Sequence, residues 1–248
     1  MQDLYVPDCI YQTDNDLEIP TLRMDMQAQA TEIPFVCYGE QRRTFQMHGH
    51  GTLHFYTDDY RFTAVYEHPE QILKHDPVNI VEPNFSLFEE MPVAFGLQAV
   101  YKKRMIARSM QDKGIRVFVD LNVATKWYKL NMIGVPMGWS SFCTRGYSDR
   151  TSTLEFEYEM ARYFANGNNL LFVVYGGGET IKAWCREHNA VYVAPLITLK
   201  NKYKAMKKIQ ESIAFGKEDF SLSLTVNTDA QAFFAENQIS DFTNQLTE

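Results

Sequence analysis

The sequence predicts a soluble α/β protein built around a mostly parallel sheet. Short apolar stretches rich in Val, Phe and Tyr alternate with longer segments of helical character, and most are bounded by Gly, Pro, Asp or Asn, as buried strands are. Strands that alternate with helices pair in parallel, because each helical crossover returns the chain to the same edge of the sheet. The core has about six such βα units, and periodicity alone leaves open whether they form an open sheet or a partial barrel.

The elements follow in chain order. The predicted strands lie at 53–57, 78–82, 116–121, 138–143, 170–175 and 190–194. The predicted helices lie at 69–75, 91–114, 151–167 and 179–189. Pro92 suits a first helical turn and Gly114 and Gly167 suit helix ends, whereas the expected N-caps are Ser152 or Thr153 and Glu179 or Thr180.

Four regions are predicted. Residues 1–50 form an irregular N-terminal layer with a covering strand near 34–38, and residues 51–198 form the α/β core. A basic helix over 199–217 and an acidic tail over 218–248 complete the chain.

The composition narrows the class of protein. Of 248 residues, 45% are hydrophobic and 14% aromatic, which is typical of a globular protein. No apolar run approaches the length of a membrane span, and the N-terminus lacks the pattern of a signal peptide, so a cytoplasmic location is predicted. The cysteines are widely spaced and are expected to be free thiols, at positions 9, 37, 143 and 185.

Polar residues follow the predicted strands where ligands bind in parallel α/β folds. The candidate catalytic residues at these ends are Asp58, Asp59, Glu82, Asp120 and Arg145. Carboxylate oxygens suit a hard cation, so a Mg²⁺ site formed by Asp58, Asp59, Glu82 and Asp120 is the cofactor hypothesis.

A glycine turn follows the fifth predicted strand. Gly176, Gly177 and Gly178 lead into a helix beside Thr180. Such a turn lets backbone N–H groups approach a phosphate at a helix N-terminus, and Arg145 is expected to clamp the same group. The alternative is a tight turn that needs positive φ. Neither a P-loop nor a dinucleotide fingerprint is present.

The charge is unevenly distributed. The chain carries a net charge of −7, yet residues 218–248 contain six acids and no Lys or Arg. The candidate nucleic-acid-binding residues lie just before this tail, at Lys200, Lys202, Lys204, Lys207 and Lys208. The tail is interpreted as a competitor for these lysines, and a solvated helix is the alternative.

The stretch HGHGTLH contains His48, His50 and His54. A histidine metal site needs further ligands at later strand ends, and no histidine closes one of the later predicted strands. His54 is therefore expected to face the interior, and Cys143 is expected to be a buried, inert thiol.

Several short motifs, LHFYTDDYRF, EPNFSLFEEMP, KGIRVFVDL and FVVYGGG, resemble a family of uncharacterised proteins of bacteria, phages and plasmids. The resemblance covers about residues 53–178 and implies a mobile-element context without a reaction. It points to His54, Asp58, Asp59, Arg61, Pro83, Phe85, Ser86, Met91, Pro92, Tyr101, Arg104, Tyr175 and Gly176. The chain departs from the family pattern at Asn84, Val100 and Asp120–Leu121.

The predicted function is that of a phage or plasmid protein that acts on nucleic acid, in replication initiation or DNA processing. The alternative is a non-catalytic module that binds a host or phage protein. The sequence leaves open whether the protein is an enzyme.

Overall fold

The structure is a computed structural model that describes residues 11–39 and 46–195. Within them, seven strands form one sheet, and every neighbouring pair is parallel in the order of the chain. The strands are β1 (Phe35–Cys37), β2 (Thr52–His54), β3 (Asn79–Val81), β4 (Arg116–Asp120), β5 (Ser141–Arg145), β6 (Leu171–Tyr175) and β7 (Val191–Val193). The predicted parallel sheet is confirmed, and the segment expected as a covering strand is its first strand.

The sheet curves into a nearly closed barrel. The ring of Phe35 in β1 lies 5.9 Å from the ring of Tyr175 in β6, and the ring of His54 in β2 lies 4.2 Å from the same tyrosine. In a flat sheet, β1 and β6 are separated by five strand spacings, about 24 Å. Side chains from distant strands therefore meet inside the barrel, where they form a core of Ala28, Phe35, Tyr56, Val81, Phe118, Cys143 and Val173.

The described residues contain four α-helices. These are α1 (Val93–Asp112), α2 (Tyr128–Asn131), α3 (Thr151–Ala165) and α4 (Gly178–Glu187). The helices α1, α3 and α4 begin and end within two residues of the predicted bounds. The segment predicted as a helix at 69–75 is a 3-10 helix, Pro69–His75, and the four-residue helix α2 was not predicted.

The predicted N-caps are wrong. Helix α3 begins after Arg150 and α4 begins after Gly177, and neither N-cap residue makes a side-chain hydrogen bond. The predicted stop of α3 is sound, because Asn166 and Gly167 adopt φ values of 49° and 87°. Two left-handed residues in succession end the helix.

Strand β5 lies later in the chain than its predicted range of 138–143. Gly138 has a φ of 93°, and the N–H of Trp139 donates to the carbonyl of Pro136 at 3.1 Å. The predicted start of the strand is therefore a turn, and Arg145 is the last strand residue instead of a loop residue.

The N-terminal segment covers the amino end of the barrel. The guanidinium of Arg116, the first residue of β4, donates to the carbonyls of Asp25 and Gln27 at 3.1 Å each. The side chain of Gln27 also accepts the N–H of Ser140, just before β5, at 2.8 Å. Ala28 then enters the barrel core. This arrangement leaves the carboxyl end as the place where loops gather.

Helices long and apolar enough to cross a bilayer are absent from residues 11–39 and 46–195.

Candidate functional site at the carboxyl end of the barrel

All five candidate catalytic residues lie at the carboxyl end of the strands. Asp58 and Asp59 follow β2, Glu82 follows β3, and Asp120 and Arg145 are the last residues of β4 and β5. Parallel strands bring these positions to one end of the barrel. Their side chains nevertheless have three different environments.

Asp120 is fully buried at the centre of a hydrogen-bond network. The Nζ of Lys103, on α1, donates to its Oδ2 at 2.9 Å, and the Nδ2 of Asn84 donates to the same oxygen at 2.8 Å. The hydroxyl of Tyr56 donates to the other carboxylate oxygen at 3.2 Å. Lys103 also donates to Oδ1 of Asn131 at 2.9 Å, so both charges are held between neighbouring elements.

Glu82 is also fully buried. Arg104, the next residue along α1, donates from Nη1 to its Oε1, and the N–H of Asp120 donates to its Oε2 at 3.2 Å. The Nζ of Lys103 lies 3.9 Å from Oε2. Arg104 is itself fixed by the carbonyl of Ile133, at 3.0 Å from its Nε.

The two buried carboxylates leave the sheet on opposite faces. Val81 pairs with Phe118 and both enter the barrel core, so Glu82 faces outward to α1 while Asp120 faces inward. Lys103 and Arg104 compensate both charges. No group of three or more metal-ligating side chains occurs within 11–39 and 46–195. Glu82 and Asp120, two of the four carboxylates in the magnesium hypothesis, thus belong to an ion network.

Asp58 and Asp59 are neighbours with different roles. Asp59 accepts hydrogen bonds from both the N–H and the hydroxyl of Ser86, each at 3.0 Å. Close by, the rings of Phe62 and Phe85 lie 5.1 Å apart. The aspartate therefore joins the loop after β2 to the loop after β3. The Asp58 side chain is 72% exposed and 4.0 Å from Arg61.

Arg145 lies beside the glycine turn. It pairs with Tyr175 across β5 and β6, and the N–H of Gly146 donates to the Tyr175 carbonyl at 2.9 Å. A Cβ on Gly146 would meet the carbonyl oxygen of Gly176 at 2.5 Å, so the two loops touch through their backbones. The guanidinium of Arg145 is at the surface, 5.3 Å from the ring centre of Tyr147.

The turn has the positive φ values that the sequence predicted for a tight turn. Gly176, Gly177 and Gly178 all have positive φ, between 77° and 93°, which a residue with a Cβ rarely adopts. A Cβ on Gly177 would lie 2.4 Å from Ile181, whereas a Cβ on Gly178 would meet nothing within 4 Å. The start of α4 is therefore open on the Gly178 side, and Thr180 is exposed in its first turn.

Two side chains lie close to the N-terminus of α4, Glu179 and Tyr192. Glu179 lies in the first turn and adds a negative charge. Burial raises the pKa of Tyr192, and the N–H of Gly178, which faces its hydroxyl, opposes that shift. An anion at this helix end therefore needs the charge of Arg145 as well as the backbone.

Inside the barrel, below its carboxyl end, burial keeps the side chains of His54 and Cys143 uncharged. Burial, together with the charge of Arg145, lowers the pKa of His54 to about 3. Its Nδ1 accepts the N–H of Tyr56 at 3.3 Å, and its Nε2 is buried without a hydrogen-bond partner. Burial raises the pKa of Cys143, so the thiol stays protonated. His54 faces the interior as expected, and Cys37, Cys143 and Cys185 are buried thiols.

A second buried acid lies on the outer side of the sheet. Burial raises the pKa of Glu157, in α3, well above its ordinary value, and the charge of Asp120 adds to the shift. The carboxyl group faces the hydroxyls of Thr144 and Tyr128, which have no other partner of good geometry. Burial thus favours the protonated, uncharged form of Glu157.

The family resemblance pointed to Arg104 without a role, and reasoning from the residues did not single out Lys103. Both lie in the segment AVYKKR. Helical spacing held the signal, because Val100, Arg104, Ala107 and Gln111 are four, three and four positions apart and all are buried. That spacing places Arg104 on the face of α1 that contacts the sheet.

The predicted lysine cluster and the acidic tail lie outside the described residues, as does Cys9. The regions proposed for 199–217 and 218–248 remain predictions from the sequence.

The family resemblance is confirmed by a family model described as "Domain of unknown function (DUF4417)", which matches residues 11–176. The chain belongs to the DUF4417 family. The match covers the barrel from the N-terminal segment to the first glycine of the turn, and therefore includes Arg145 and the buried ion network.

Two relatives of the chain come from mycobacteriophages. The chain is 31% identical to the "Gene 1 protein" of Mycobacterium phage L5 over 144 residues, 55% of this chain and 62% of that protein. It is 35% identical to the "Gene 1 protein" of Mycobacterium phage D29 over 91 residues, 36% of this chain and 34% of that protein. The chain thus spans less than two thirds of the length of either relative. No solved structure matches the chain.

Proposed function

We propose that this DUF4417 protein binds nucleic-acid phosphates at the carboxyl end of its barrel, in phage replication initiation or DNA processing. The observation that carries the proposal is the register of β5 and β6, in which Arg145 is opposite Tyr175, one residue before the glycine turn. An exposed guanidinium therefore lies at the end of the strand next to the one that leads into the start of α4. A guanidinium and a helix start are both groups that recognise phosphate.

A comparison of Arg145 with the buried ion network also supports phosphate binding at Arg145. Glu82 and Asp120 already have cationic partners, so neither is available as a general base without breaking that network. Arg145 has no carboxylate within ion-pair distance among the described residues. Its charge is therefore available to an anionic ligand.

The biological setting comes from the relatives. Both matching proteins are products of phage genes, as their names state. A protein of this setting that recognises phosphate would meet nucleic acid as its most abundant polyanion. The proposal therefore concerns binding, and it assigns no bond-breaking step.

The test is the salt dependence of oligonucleotide binding in two charge-matched variants. Arg145→Gln removes the proposed phosphate contact, and Arg186→Gln removes an exposed arginine from the last turn of the same helix that follows the glycine turn. Arg145→Gln should reduce the slope of log affinity against log salt by about one, whereas Arg186→Gln should leave the slope unchanged. Equal slopes in all three proteins would contradict the proposal.

A second candidate function is a protein-interaction module, which an apolar surface groove favours. The groove lies between α2 and α3, with a volume of about 350 Å³. Two of its lining aromatics are prominent, with Phe156 51% and Tyr163 70% exposed. If the groove binds a protein, Tyr163→Glu should abolish capture of a host or phage protein, and Phe95→Glu, on the exposed start of α1, should not.

A further inference from the structure

Tyrosine–arginine pairs with exposed guanidinium groups lie on two loops at the carboxyl end of the barrel. After β2, the Tyr60 side chain is 73% exposed, and the guanidinium of Arg61 lies 5.6 Å from its ring centre. After β5, the guanidinium groups of Arg145 and Arg150 lie 5.3 and 5.1 Å from the ring centre of Tyr147. Flat aromatic and guanidinium groups at a surface are the groups on which unpaired bases stack.

The two loops carry different charges. Beside Tyr60, the acids Asp58 and Asp59 outnumber Arg61, and Asp58 lies 4.0 Å from the arginine. In residues 145–150 the arginines outnumber the single acid, Asp149. Phosphates are therefore favoured on the β5 side, while the β2 side offers an aromatic surface without a net positive charge.

The spacing of the two strands that lead into these loops suits a short ligand. Strands β2 and β5 are three positions apart in the sheet, which corresponds to about 14 Å along its edge. A few nucleotides of a single strand span such a distance with one phosphate at Arg145 and a base at Tyr60. In a duplex the bases are already paired and stacked, so Tyr60 would have no free base to contact.

The charge balance of the chain points the same way. Duplex binding depends on many phosphate contacts, and residues 1–217, which precede the acidic tail, carry 24 basic and 25 acidic residues and so offer no excess of positive charge. Stacking contributes affinity without requiring further positive charge, and it is tolerant of sequence because every base has a flat face.

We infer that the ligand of this end of the barrel is single-stranded nucleic acid, with a phosphate at Arg145 and a base stacked on Tyr60. The inference rests on the proposed function and specifies its substrate class. Tyr60 acts as a binding residue, and Arg61 orients its ring.

The experiment measures the affinity of the full chain for fluorescein-labelled oligo-dT and for a labelled duplex of the same length. The unmodified protein should bind the single strand at least about tenfold more tightly, and Tyr60→Ala should weaken that binding about tenfold, equivalent to about 1.4 kcal/mol. Tyr60→Phe should retain it, because the ring remains. Tyr163→Ala removes an equally exposed ring from α3 and should have no effect.

The outcomes separate this inference from the proposed function. Equal or tighter binding of the duplex, or full affinity in Tyr60→Ala, would overturn the single-strand assignment. If Arg145→Gln still weakens binding in that case, the phosphate site stands. Absence of binding to either probe would overturn both.

Discussion

The carboxyl ends of β3 and β4 differ from those of β5 and β6, although charged residues lie at the ends of β3, β4 and β5 alike. At the first pair, Glu82 and Asp120 are each 0% exposed and are held by Lys103 and Arg104. At the second pair, Arg145 is exposed beside the glycine turn. A Cβ on Gly178, the last glycine of that turn, would meet no atom within 4 Å. The charges at the ends of β3 and β4 are thus buried and paired, and we call this part the sealed half. The ends of β5 and β6 carry an exposed charge, and we call this part the open half.

The difference teaches where a charge at a strand end indicates a binding site. Burial of an ion costs several kcal/mol unless a partner compensates it. At β3 and β4, α1 supplies both partners from its buried face, and the result is a scaffold. At β5 no neighbouring helix supplies a carboxylate to Arg145 within the described residues, so that charge faces outward. A charge at a strand end is therefore structural when the adjacent helix supplies a partner of opposite charge, and available to a ligand when it does not.

The largest effect is expected for a substitution that disrupts the buried ion pair in the sealed half. Arg104→Met removes the cation that contacts Glu82 and leaves a buried carboxylate without its main partner, so the free energy of unfolding should fall by about 3–5 kcal/mol. Urea denaturation measures the loss. Arg162→Met provides the control, because its ion pair with Glu159 is about 60% exposed on both sides and should contribute less than about 1 kcal/mol. Equal losses would show that the network is not a scaffold.

The next prediction tests whether water is excluded from the barrel interior at His54, below the open half. His54 has a folded pKa of about 3, below its unfolded value of about 6.5. Between these values the unfolded chain binds a proton that the folded chain does not, so the free energy of unfolding falls as the pH decreases through that window. The contribution between pH 6.5 and pH 5 is about 2 kcal/mol.

Two histidine variants isolate this contribution. His54→Phe keeps an aromatic ring in the barrel and should lose that part of the pH dependence. His68→Phe, at a side chain that is 57% exposed, should keep the profile of the unmodified protein. An unchanged profile in His54→Phe would mean that water reaches the barrel interior.

The smallest effect separates two adjacent carboxylates at the border of the two halves. Asp59→Ala removes both hydrogen bonds to Ser86 and should destabilise the protein by about 1–2 kcal/mol. Asp58→Ala, at a side chain that is 72% exposed, should change stability by less than about 0.5 kcal/mol. Thermal unfolding compares them directly, and a larger loss for Asp58 would reverse the assigned roles.

The elements of this fold were largely predictable, because their signals are local. The bounds of α1, α3 and α4 follow from apolar spacing and from terminal glycines such as Gly167. Closure of the barrel was not predictable, since a strand buried on both faces carries the same pattern in a flat sheet and in a barrel. Contact between Phe35 and Tyr175 depends on curvature accumulated over five strand spacings.

The candidate site was predictable in position and only partly in role. Parallel strands place Asp120 and Arg145 at one end of the barrel, which the alternation of elements already implies. The two residues differ because Lys103 reaches Asp120 from α1, and that contact depends on the tertiary packing of a helix.

Hydrogen exchange with bound oligo-dT tests the central claim most directly, because it reports both halves of the barrel end in one experiment. Peptides covering residues 145–150 and 176–180 should exchange more slowly when the oligonucleotide is bound, and peptides covering 82–86 and 118–124 should exchange at the same rate with and without it. Protection confined to the β3–β4 half, or equal exchange in the β5–β6 half, would contradict the assignment of an open binding end beside a sealed scaffold.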